Sequence, residues 1–400
     1  MYRLSYILFF WLFFFSCTQK REKDLEVLIP ASLQMIGHKG SGNSNQNGNI
    51  NLEENSWEAL FNSIQRIDGS EMDVQMSADS TFWIFHDFYI LNCEDSLVPF
   101  VTATDKDIIA FSKCNYKAKL IQLETFFSKA KEQPWENKTI VLDLKFLWNE
   151  NIPADSNLER KKFYDFVSKE IIHFQKNVNF KVGIEVYSES QYRYFDSVFP
   201  EKTFLVNHYP TVEFAQEIQM KKWRTSFSIY EIDERFHNMS FDNLWTINTV
   251  NDFLKCLDFQ PQIIQSDNIP LMEFFKNVQA GGKIKLFKEE SHLIQAEDKK
   301  FFLLEKIQIP LTQNELIGFQ TLTHPFPKEV YLTVTAFNDQ NEGVDWLGFR
   351  LNDIQHAYHF IDTDFLHHLG ATEVKLSIWN KDLKPLDHKI SISRYRLEAL

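Results

Sequence analysis

Cysteine is scarce in this chain of 400 residues, which contains only four. No two of them are spaced as Cys-x-x-Cys, so a structural zinc site is not expected. Cys93 and Cys114 flank one loop-rich segment and could pair in an oxidising compartment. Cys256 would then remain as a buried thiol.

Basic residues are too few to balance the acidic ones. The chain has 42 Lys and Arg against 55 Asp and Glu, which gives a formal net charge of −13. Such a surface repels nucleic acid phosphates, and no patch of interleaved basic and aromatic residues offsets the repulsion. We therefore expect no nucleic-acid partner. No internal repeat of 20–50 residues is evident either, and the length allows two domains.

The apolar run Tyr6–Phe15 is too short to cross a bilayer as a helix, which takes ~20 residues. It suits the apolar core of a signal peptide, and Ser16-Cys17 after it resembles a bacterial lipoprotein cleavage site. This predicts a signal peptide over 1–16, a lipid on Cys17 and a tether over 17–30. The protein is then expected in the cell envelope, lipid-anchored to a bacterial membrane at the periplasmic or outer surface. A simple secreted protein and an uncleaved anchor are the alternatives.

Residues 31–280 alternate between short strand-like runs and helix-length segments, the pattern of α/β folds. Nine runs are strand candidates: Leu33–Gly37, Ser70–Gln75, Phe82–Phe85, Ile140–Leu144, Lys181–Val186, Thr203–Val206, Ser226–Tyr230, Leu244–Ile247 and Ile263–Gln265. A TIM (β/α)8 barrel has eight strands, so one candidate must be dropped. We expect Ser226–Tyr230 to be the one outside the barrel.

Glu71 and Asp73 are two residues apart in a strand-like run, so their side chains point to the same face. Burying both carboxylates without partners would cost roughly several kcal/mol or keep one of them protonated. A hard divalent cation removes that conflict. The polar face of a half-exposed strand is the alternative. His86 follows the next short run and can exchange a proton near neutral pH.

Other polar residues end strand-like runs in the same way. His38-Lys39-Gly40 closes the run that contains Met35 and Ile36, and Asp143-x-Lys145 ends the run that begins at Thr139. Barrels of the α/β type place their chemistry at the carboxyl ends of their strands. The sequence therefore predicts a catalytic cluster at that end of the barrel.

The chain resembles the glycerophosphodiester phosphodiesterases over residues 30–280, because seven short motifs come in that family's order. They are His38-Lys39-Gly40, Glu54-Asn55-Ser56, Glu71-x-Asp73, His86-Asp87, Asp143-x-Lys145, Trp245-Thr246-Ile247-Asn248 and Ser266-Asp267-Asn268-Ile269-Pro270. The resemblance implies a TIM barrel that hydrolyses glycerophosphodiesters to sn-glycerol 3-phosphate and an alcohol in a metal-dependent reaction.

The resemblance also implies roles for individual residues. His38 and His86 would be a general acid–base pair. Glu71, Asp73 and Asp143 would bind the divalent cation, and their oxygen ligands suit Mg²⁺ or Ca²⁺.

Further residues would bind substrate or support the site. Lys39 and Lys145 would bind phosphate oxygens, and Trp245 would line the glycerol or headgroup site unless it is a core residue. Glu54 and Asn55 would support the catalytic residues, although Asn55 could instead be the N-cap of a helix over Trp57–Ile67.

Two departures from the family pattern leave the substrate open. The family usually has His-Arg where this chain has His38-Lys39, and Asp143 stands where the third acid is usually Glu. Asp143-x-Lys145 is instead similar to the sphingomyelinase-D-like phospholipases, which act on choline-bearing lipids. The partner is therefore a small glycerophosphodiester or a phospholipid headgroup, with a non-catalytic surface binding barrel as the third alternative.

Two segments are expected to add to the barrel. In the family, the region equivalent to Phe88–Lys119 is an insertion over the active site, and we expect it to determine specificity. Ala280-Gly281-Gly282 reads as a linker, and residues 285–400 show short alternating runs. This pattern predicts a smaller all-β, sandwich-like accessory domain without a catalytic constellation.

Overall fold

The computed structural model describes residues 23–25, 28–42, 52–114, 119–148, 157–176, 178–248, 250–281, 283–296, 300–308, 315–321, 329–350, 370–381, 383 and 386–398. The predicted signal peptide 1–16, Cys17 and most of the predicted tether 17–30 lie outside these residues. Within the described ranges, none of the helices combines the length and apolar character needed to span a bilayer.

The described part of the chain forms strands β1 to β20. They are Lys23–Leu25, Gln34–Gly37, Gly69–Met76, Phe82–Ile84, Tyr89–Leu91, Leu97–Pro99, Ile121–Gln122, Thr139–Asp143, Lys181–Val186, Thr203–Asn207, Thr225–Ser228, Asn243–Trp245, Ile263–Ser266, Lys283–Ala296, Phe301–Gln308, Glu315–Thr321, Val330–Phe337, Gly343–Arg350, Glu373–Asn380 and Leu386–Glu398. Helices α1 to α8 are Trp57–Arg66, Asp105–Cys114, Leu123–Ala130, Asn157–Gln175, Glu189–Val198, Val212–Lys221, Val250–Leu257 and Ile269–Gln279.

Eight parallel strands close into a barrel. Their order is β2-β3-β8-β9-β10-β11-β12-β13, and β13 pairs with β2 to complete the ring. Helices follow most of these strands along the chain, while two 3₁₀ turns, Ile229–Glu231 and Glu234–Phe236, follow β11. The predicted TIM barrel is therefore confirmed.

The prediction of which strand to leave out was wrong. Thr225–Ser228 is barrel strand β11, paired in parallel with β10 and β12. The strand outside the barrel is β4, Phe82–Ile84, which pairs antiparallel with the far end of β3. Only five residues separate Met76 from Phe82, and a parallel neighbour needs a crossover of about a dozen residues or more. So short a connection permits a hairpin only.

The inward faces of the strands change from apolar to polar towards their carboxyl ends. Ile36, Val141, Phe204 and Ile263 form a buried cluster contributed by four different barrel strands. Two residues further along three of these strands, on the same face, come the polar side chains of His38, Asp143 and Gln265, while the fourth strand has Val206. The lower barrel is thus a packed core, and the upper barrel is a polar cavity.

Helix α1 corrects one boundary prediction. Its N-cap is Ser56, whose side chain accepts a hydrogen bond from the Ala59 amide, and the helix ends at Arg66. Asn55, the predicted cap, has a left-handed backbone with φ of 59°. Asn tolerates this conformation better than most residues, and its side chain bonds to Asp73 instead of capping the helix.

The insertion after β3 is held by a disulfide. Strands β5 and β6 form a two-stranded sheet, and α2 follows them. Cys93 is bonded to Cys114 at the end of α2, and Cys256 is a buried free thiol, both as predicted. The hairpin and α2 are thereby tied into one unit beside the mouth of the barrel.

The C-terminal residues are all-β in the described ranges, as predicted. One four-stranded sheet has the order β15-β19-β17-β18 and the other β1-β14-β20-β16. Alternate residues of β17 and β19 are buried, including Leu332, Val334 and Leu376. Strand β1, which falls within the predicted tether, pairs with the start of β14.

Candidate active site

Three acidic residues stand in one row across three neighbouring strands. Asp73 of β3 is in register with Asp143 of β8, and Asp143 is in register with Glu185 of β9. Glu71 lies two residues before Asp73 and so on the same face. All four side chains are buried. Parallel pairing thus brings four carboxyl groups together at the carboxyl end of the barrel.

Glu71, Asp143 and Glu185 form a compact group, here called the three-acid group. One oxygen from each lies within 4.8 Å of the others. Burial, followed by the charges of Asp73, Asp143 and Glu185, raises the pKa of Glu71 well above its ordinary value. Burial and the charge of Asp143 raise the pKa of Glu185 to about 8. The group is therefore under strong mutual repulsion.

The three-acid group fits a hard cation. Glu71 Oε2 accepts a hydrogen bond from the Lys39 amide at 2.7 Å, but its buried Oε1 has no hydrogen-bond partner among the described residues. A buried oxygen without a partner costs ~1–3 kcal/mol. Three carboxylates converging on one point are the ligands that Mg²⁺ and Ca²⁺ prefer, so a divalent cation satisfies both the unpartnered oxygen and the repulsion.

Glu185 is a site residue that the sequence reasoning missed. Its Oε1 accepts hydrogen bonds from Ser226 Oγ at 2.6 Å, Asn243 Nδ2 at 2.7 Å and Gln265 Nε2 at 3.0 Å. These donors come from β11, β12 and β13 and fix the orientation of the carboxylate. A lone Glu near the end of the apolar run Lys181–Val186 was the available signal.

Asp73 lies outside the three-acid group and contacts Lys145 instead. Lys145 Nζ is 3.5 Å from Asp73 Oδ1 and 2.8 Å from Asp143 Oδ2. Burial alone would raise the pKa of Asp73, but the surrounding positive charges, that of Lys145 above all, lower it to about 2. Burial likewise opposes the charge on Lys145, but Asp143 and Asp73 raise its pKa above the ordinary value. Both groups are therefore held charged inside the barrel.

Asn55 holds Asp73 in place. Its Nδ2 donates to Asp73 Oδ2 at 2.8 Å, and its Oδ1 accepts from the Asp73 amide at 3.1 Å. Glu54 lies beside it, with Oε2 3.7 Å from Lys39 Nζ. Both residues thus contact predicted site residues. Gly40, which follows Lys39, has a φ of 79°, and a Cβ there would lie 2.6 Å from the Ala59 backbone.

His38 is oriented by a carboxylate. Its Nδ1 lies 2.6 Å from Asp267 Oδ1, and Asp267 Oδ2 accepts from Asn248 Nδ2 at 2.8 Å. Burial would raise the pKa of Asp267, but His38 and the hydrogen bonds from His38 and Asn248 hold it below its ordinary value. The ionised Asp267 occupies Nδ1, which leaves Nε2 of His38 for a reacting group.

His86 is oriented in a similar way. Its Nδ1 is 2.8 Å from Asp87 Oδ1, and the hydrogen bond with His86 lowers the pKa of Asp87. Gln75 Nε2 donates to the Asp87 carbonyl oxygen at 3.1 Å, which fixes the turn that carries both residues. The two histidines therefore share one design, in which a carboxylate on Nδ1 leaves Nε2 free to exchange a proton.

An aromatic wall closes one side of the site, and of its members the sequence predicted only Trp245. His208 packs between Trp148 and Trp245, with ring centroids 4.3 and 5.1 Å away. Tyr187 donates a short hydrogen bond to Asp143 Oδ1. Asn207-His208 follows the run Thr203–Val206, so the rule that placed His38 and His86 could also have found His208.

Several of these side chains line one cavity of about 150 Å³. It contains both predicted catalytic histidines, both predicted phosphate-binding lysines, Trp245 and the three-acid group. Asp73, Glu54 and Asn55 are not part of its wall, although Asp73 contacts Lys145, Glu54 contacts Lys39, and the Asn55 amide donates to the Lys39 carbonyl oxygen at 2.9 Å. The arrangement can neutralise an anion, bind a cation and move protons within a small volume.

Comparison with known proteins finds no matching family model and no matching curated protein. Among solved structures, the chain is similar to glycerophosphodiester phosphodiesterases from Thermotoga maritima and Parabacteroides distasonis. Their identities to this chain are 17% and 15%, and their TM-scores are 0.42 and 0.45. The matches cover 61% and 62% of this chain and 97% and 98% of theirs.

A third similar structure is an Oleispira antarctica phosphodiesterase in complex with the product sn-glycerol-3-phosphate. It is 14% identical, with a TM-score of 0.43, and the match covers 60% of this chain and 95% of that one. Glycerophosphodiester phosphodiesterases are therefore what the chain is similar to, at identities that leave its reaction to be argued from its own residues.

Proposed function

We propose that this chain is a metal-dependent phosphodiester hydrolase that converts glycerophosphodiesters to sn-glycerol 3-phosphate and an alcohol. One observation carries the proposal. Two histidines, each oriented by a carboxylate on Nδ1, line the same 150 Å³ cavity as the three-acid group and two lysines. This combination suits phosphodiester hydrolysis, because the substrate is an anion with a poor leaving group and two protons must move.

Glu71, Asp143 and Glu185 would hold a divalent cation, Mg²⁺ or Ca²⁺. When bound, such an ion polarises a phosphoryl oxygen and offsets the charge that develops in hydrolysis. Asp73 remains a predicted ligand. Its contacts with Asn55 and Lys145 support a second task, which is to hold the Lys145 ammonium beside the phosphate position.

His38 and His86 carry the proton transfers. One Nε2 takes a proton from the attacking water, and the other gives a proton to the oxygen of the departing alcohol. The Nδ1 contacts with Asp267 and Asp87 favour this exchange, because each carboxylate stabilises the imidazolium that forms. Water thus adds to phosphorus, the ester P–O bond breaks, and the proton count balances.

Lys39 and Lys145 bind the phosphate. Lysine offers a point charge rather than the bidentate fork of arginine, so two lysines from different strands are needed to fix the anion. Lys145 is already charged in its contact with Asp143 and Asp73. Trp245 and His208 would form the wall against which the glycerol or headgroup packs.

A phospholipase of the sphingomyelinase-D type is the second candidate. The contact of 2.8 Å between Lys145 and Asp143 favours it, because the Asp-x-Lys pair is the feature shared with those enzymes. Here a hydroxyl of the lipid would attack phosphorus while one histidine takes its proton and the other protonates the departing choline oxygen, which leaves a cyclic lipid phosphate. Attack by water would leave an open lipid phosphate instead. The two candidates therefore differ in product, and a barrel that binds without turnover gives none.

We also propose that the protein works at the bacterial cell envelope, anchored through a lipid on Cys17 that follows the signal-peptide-like run Tyr6–Phe15. Mass measurement of the purified envelope protein tests this. Diacylglycerol on an N-terminal Cys17 is expected, whereas an unmodified Cys17 within an intact N-terminus contradicts it.

Phosphorus NMR on the full chain with glycerophosphocholine and lysophosphatidylcholine tests the reaction. The expected result is the phosphomonoester resonance of glycerol 3-phosphate from the first substrate. A cyclic or open lipid phosphate, formed from the lipid while glycerophosphocholine is left intact, favours the phospholipase candidate. Absence of turnover with both, in a folded protein that still binds metal, contradicts both enzyme functions.

A further inference from the structure

Five large apolar side chains are exposed around the mouth of the barrel. They are Tyr89 and Leu91 of β5, Leu97 of β6, Trp148 and Tyr209, with exposed fractions of 54%, 45%, 69%, 39% and 77%. Trp148 follows β8, and Tyr209 follows β10. Carboxyl ends of parallel strands lie at one end of a barrel, so Trp148 and Tyr209 belong to the end that carries the site. Tyr89, Leu91 and Leu97 share a cavity with His86, which places them at the same end. We call all five residues the apolar rim.

The apolar rim flanks the catalytic cavity on two sides. Tyr89, Leu91 and Leu97 line a cavity of about 290 Å³ that also contains His86. Trp148 and Tyr209 line a cavity of about 440 Å³ that also contains His208. His86 and His208 both line the catalytic cavity, so the three cavities adjoin. A surface that met the rim would cover the site.

The rim's size and chemistry indicate what it meets. An aromatic side chain offers ~150–250 Å², so the three partly exposed aromatic residues and the two leucines of the rim together present roughly 500 Å². This is near the upper limit for a monomer's largest apolar patch. Tyrosine and tryptophan, with apolar rings and polar tips, are the residues enriched where membrane meets water.

The charge of the chain narrows the choice of surface. With a net charge of −13, the protein is repelled by an anionic bilayer. A zwitterionic surface carries no net charge to oppose, and its outermost groups are cationic when the lipid is phosphatidylcholine. An acidic protein with an apolar rim is therefore suited to bind a zwitterionic phospholipid surface rather than an anionic one.

We propose that the apolar rim docks on a zwitterionic phospholipid surface, so that the catalytic cavity opens towards lipid headgroups. The docking is inferred from the rim alone and does not depend on the reaction. Its consequence for catalysis, a preference for phosphodiesters presented on that surface over the same group in solution, rests on the proposed function.

Quenching by brominated lipid tests the docking. The full chain is placed in phosphatidylcholine vesicles with bromine on the acyl chains, and its emission is compared with that of Trp148→Phe. The emission of the unaltered chain minus that of the variant is the emission of Trp148. Brominated lipid is expected to lower it by about half or more, because docked rings enter the acyl boundary by ~5–10 Å.

The matched control moves the reporter without changing the tryptophan count. Trp148→Phe with Met220→Trp keeps the nine tryptophans of the chain and places one on α6, where Met220 is 79% exposed. The emission of the tryptophan at position 220 should not be quenched by the brominated lipid. Equal quenching at positions 148 and 220, or none at 148, overturns the docking.

A second comparison separates docking from the reaction. Leu97→Ser with Tyr209→Ser should lower the ratio of turnover on vesicle-borne to soluble phosphodiester by about tenfold, since two apolar groups no longer enter lipid. Met220→Ser should leave the ratio unchanged. An unchanged ratio in the rim variant contradicts the surface preference. If hydrolysis is absent while Trp148 is quenched as expected, the proposed function is contradicted but the docking is supported.

Discussion

His38 owes its orientation to Asp267, a carboxylate 229 residues further along the chain. The contact joins the first and last strands of the barrel, because both residues come just after β2 and β13, which pair. Asn248 holds the other oxygen of Asp267. Neither Asp267 nor Asn248 needs to touch substrate, so we regard both as positioning residues.

Asp267→Asn is expected to lower kcat/KM by about 10–100-fold, because the imidazole loses its fixed orientation and its ionised partner. His38→Ala should cost about 10²–10⁴-fold. The double variant should be no slower than His38→Ala alone, since Asp267 acts only through His38. Steady-state kinetics on glycerophosphocholine measures all three. Losses that multiply in the double variant would show that Asp267 has an independent role.

Glu185 is expected to bind the cation although it belongs to none of the sequence motifs. Glu185→Gln keeps the shape and should weaken Mg²⁺ or Ca²⁺ binding by at least about tenfold, measured by titration calorimetry. Glu189→Gln, on the exposed start of α5, is the matched control and should bind as the unaltered chain does. Equal affinities in the two variants would remove Glu185 from the site.

Four of the residues that the sequence identified share one signal, which Glu185 lacks. His208 carries the same signal and was overlooked. His38, His86, Asp143 and Lys145 end strand-like runs, and this placed them at the mouth of the barrel. Glu185 lies inside an apolar run, and its meaning depends on its register with Asp143. That register joins strands 42 residues apart, which a single sequence does not reveal.

At the scale of elements, the barrel was predictable in its number of strands but not in their identity. Phe82–Phe85 and Ser226–Tyr230 look equally strand-like, because β propensity does not distinguish a barrel strand from a hairpin strand. The connection length does distinguish them. Five residues lead into β4, whereas β11 is preceded by the whole of α6, so reading the loops as well as the strands would have given the correct eight.

Helix α1 shows how a cap and a site residue can exchange places in a prediction. Asn55 and Ser56 are adjacent and both are good N-caps. The structure gives the cap to Ser56 and turns Asn55 into the barrel, where it holds Asp73. Sequence alone fixes such boundaries only to within a residue or two, and here one residue separates a structural role from a site role.

The insertion should depend on its disulfide. Cys93→Ser with Cys114→Ser opens a loop of 21 residues, a change worth about 3 kcal/mol. Hydrogen exchange should therefore speed up by about 100-fold at amides of residues 89–114, since 1.4 kcal/mol is about tenfold. Amides of barrel strands such as β9 should be unaffected. Faster exchange throughout the barrel, or at none of these amides, would contradict a local role for the bond.

At the scale of the whole molecule, the buried acids make stability depend on pH and metal together. In the cation-free protein the pKa of Glu185 is raised from near 4.5 to about 8. Between these values the folded protein holds a proton that the unfolded chain has lost. The free energy of unfolding should therefore fall as pH rises from 4.5 to 8, by up to about 1.4 kcal/mol per pH unit.

Urea unfolding in chelator at pH 5.5 and pH 8 tests this dependence. Lower stability at pH 8 is expected, and Glu185→Gln should reduce the difference because its amide does not ionise. Added Mg²⁺ or Ca²⁺ should restore stability most at pH 8, where the ionised carboxylates are ready to bind it. Stability that rises from pH 5.5 to pH 8 in chelator would contradict the repulsion among the acids.

The central claim is that the cavity at the carboxyl end of the barrel hydrolyses phosphodiesters with a bound cation and two histidines. The most direct measurement is the rate of glycerol 3-phosphate release from glycerophosphocholine by the full chain, in chelator and after Mg²⁺ or Ca²⁺ is returned, alongside His86→Ala. The account predicts no release in chelator, recovery with metal, and a loss of about 10²–10⁴-fold in the variant. Release that persists in chelator, or that His86→Ala leaves intact, would contradict it.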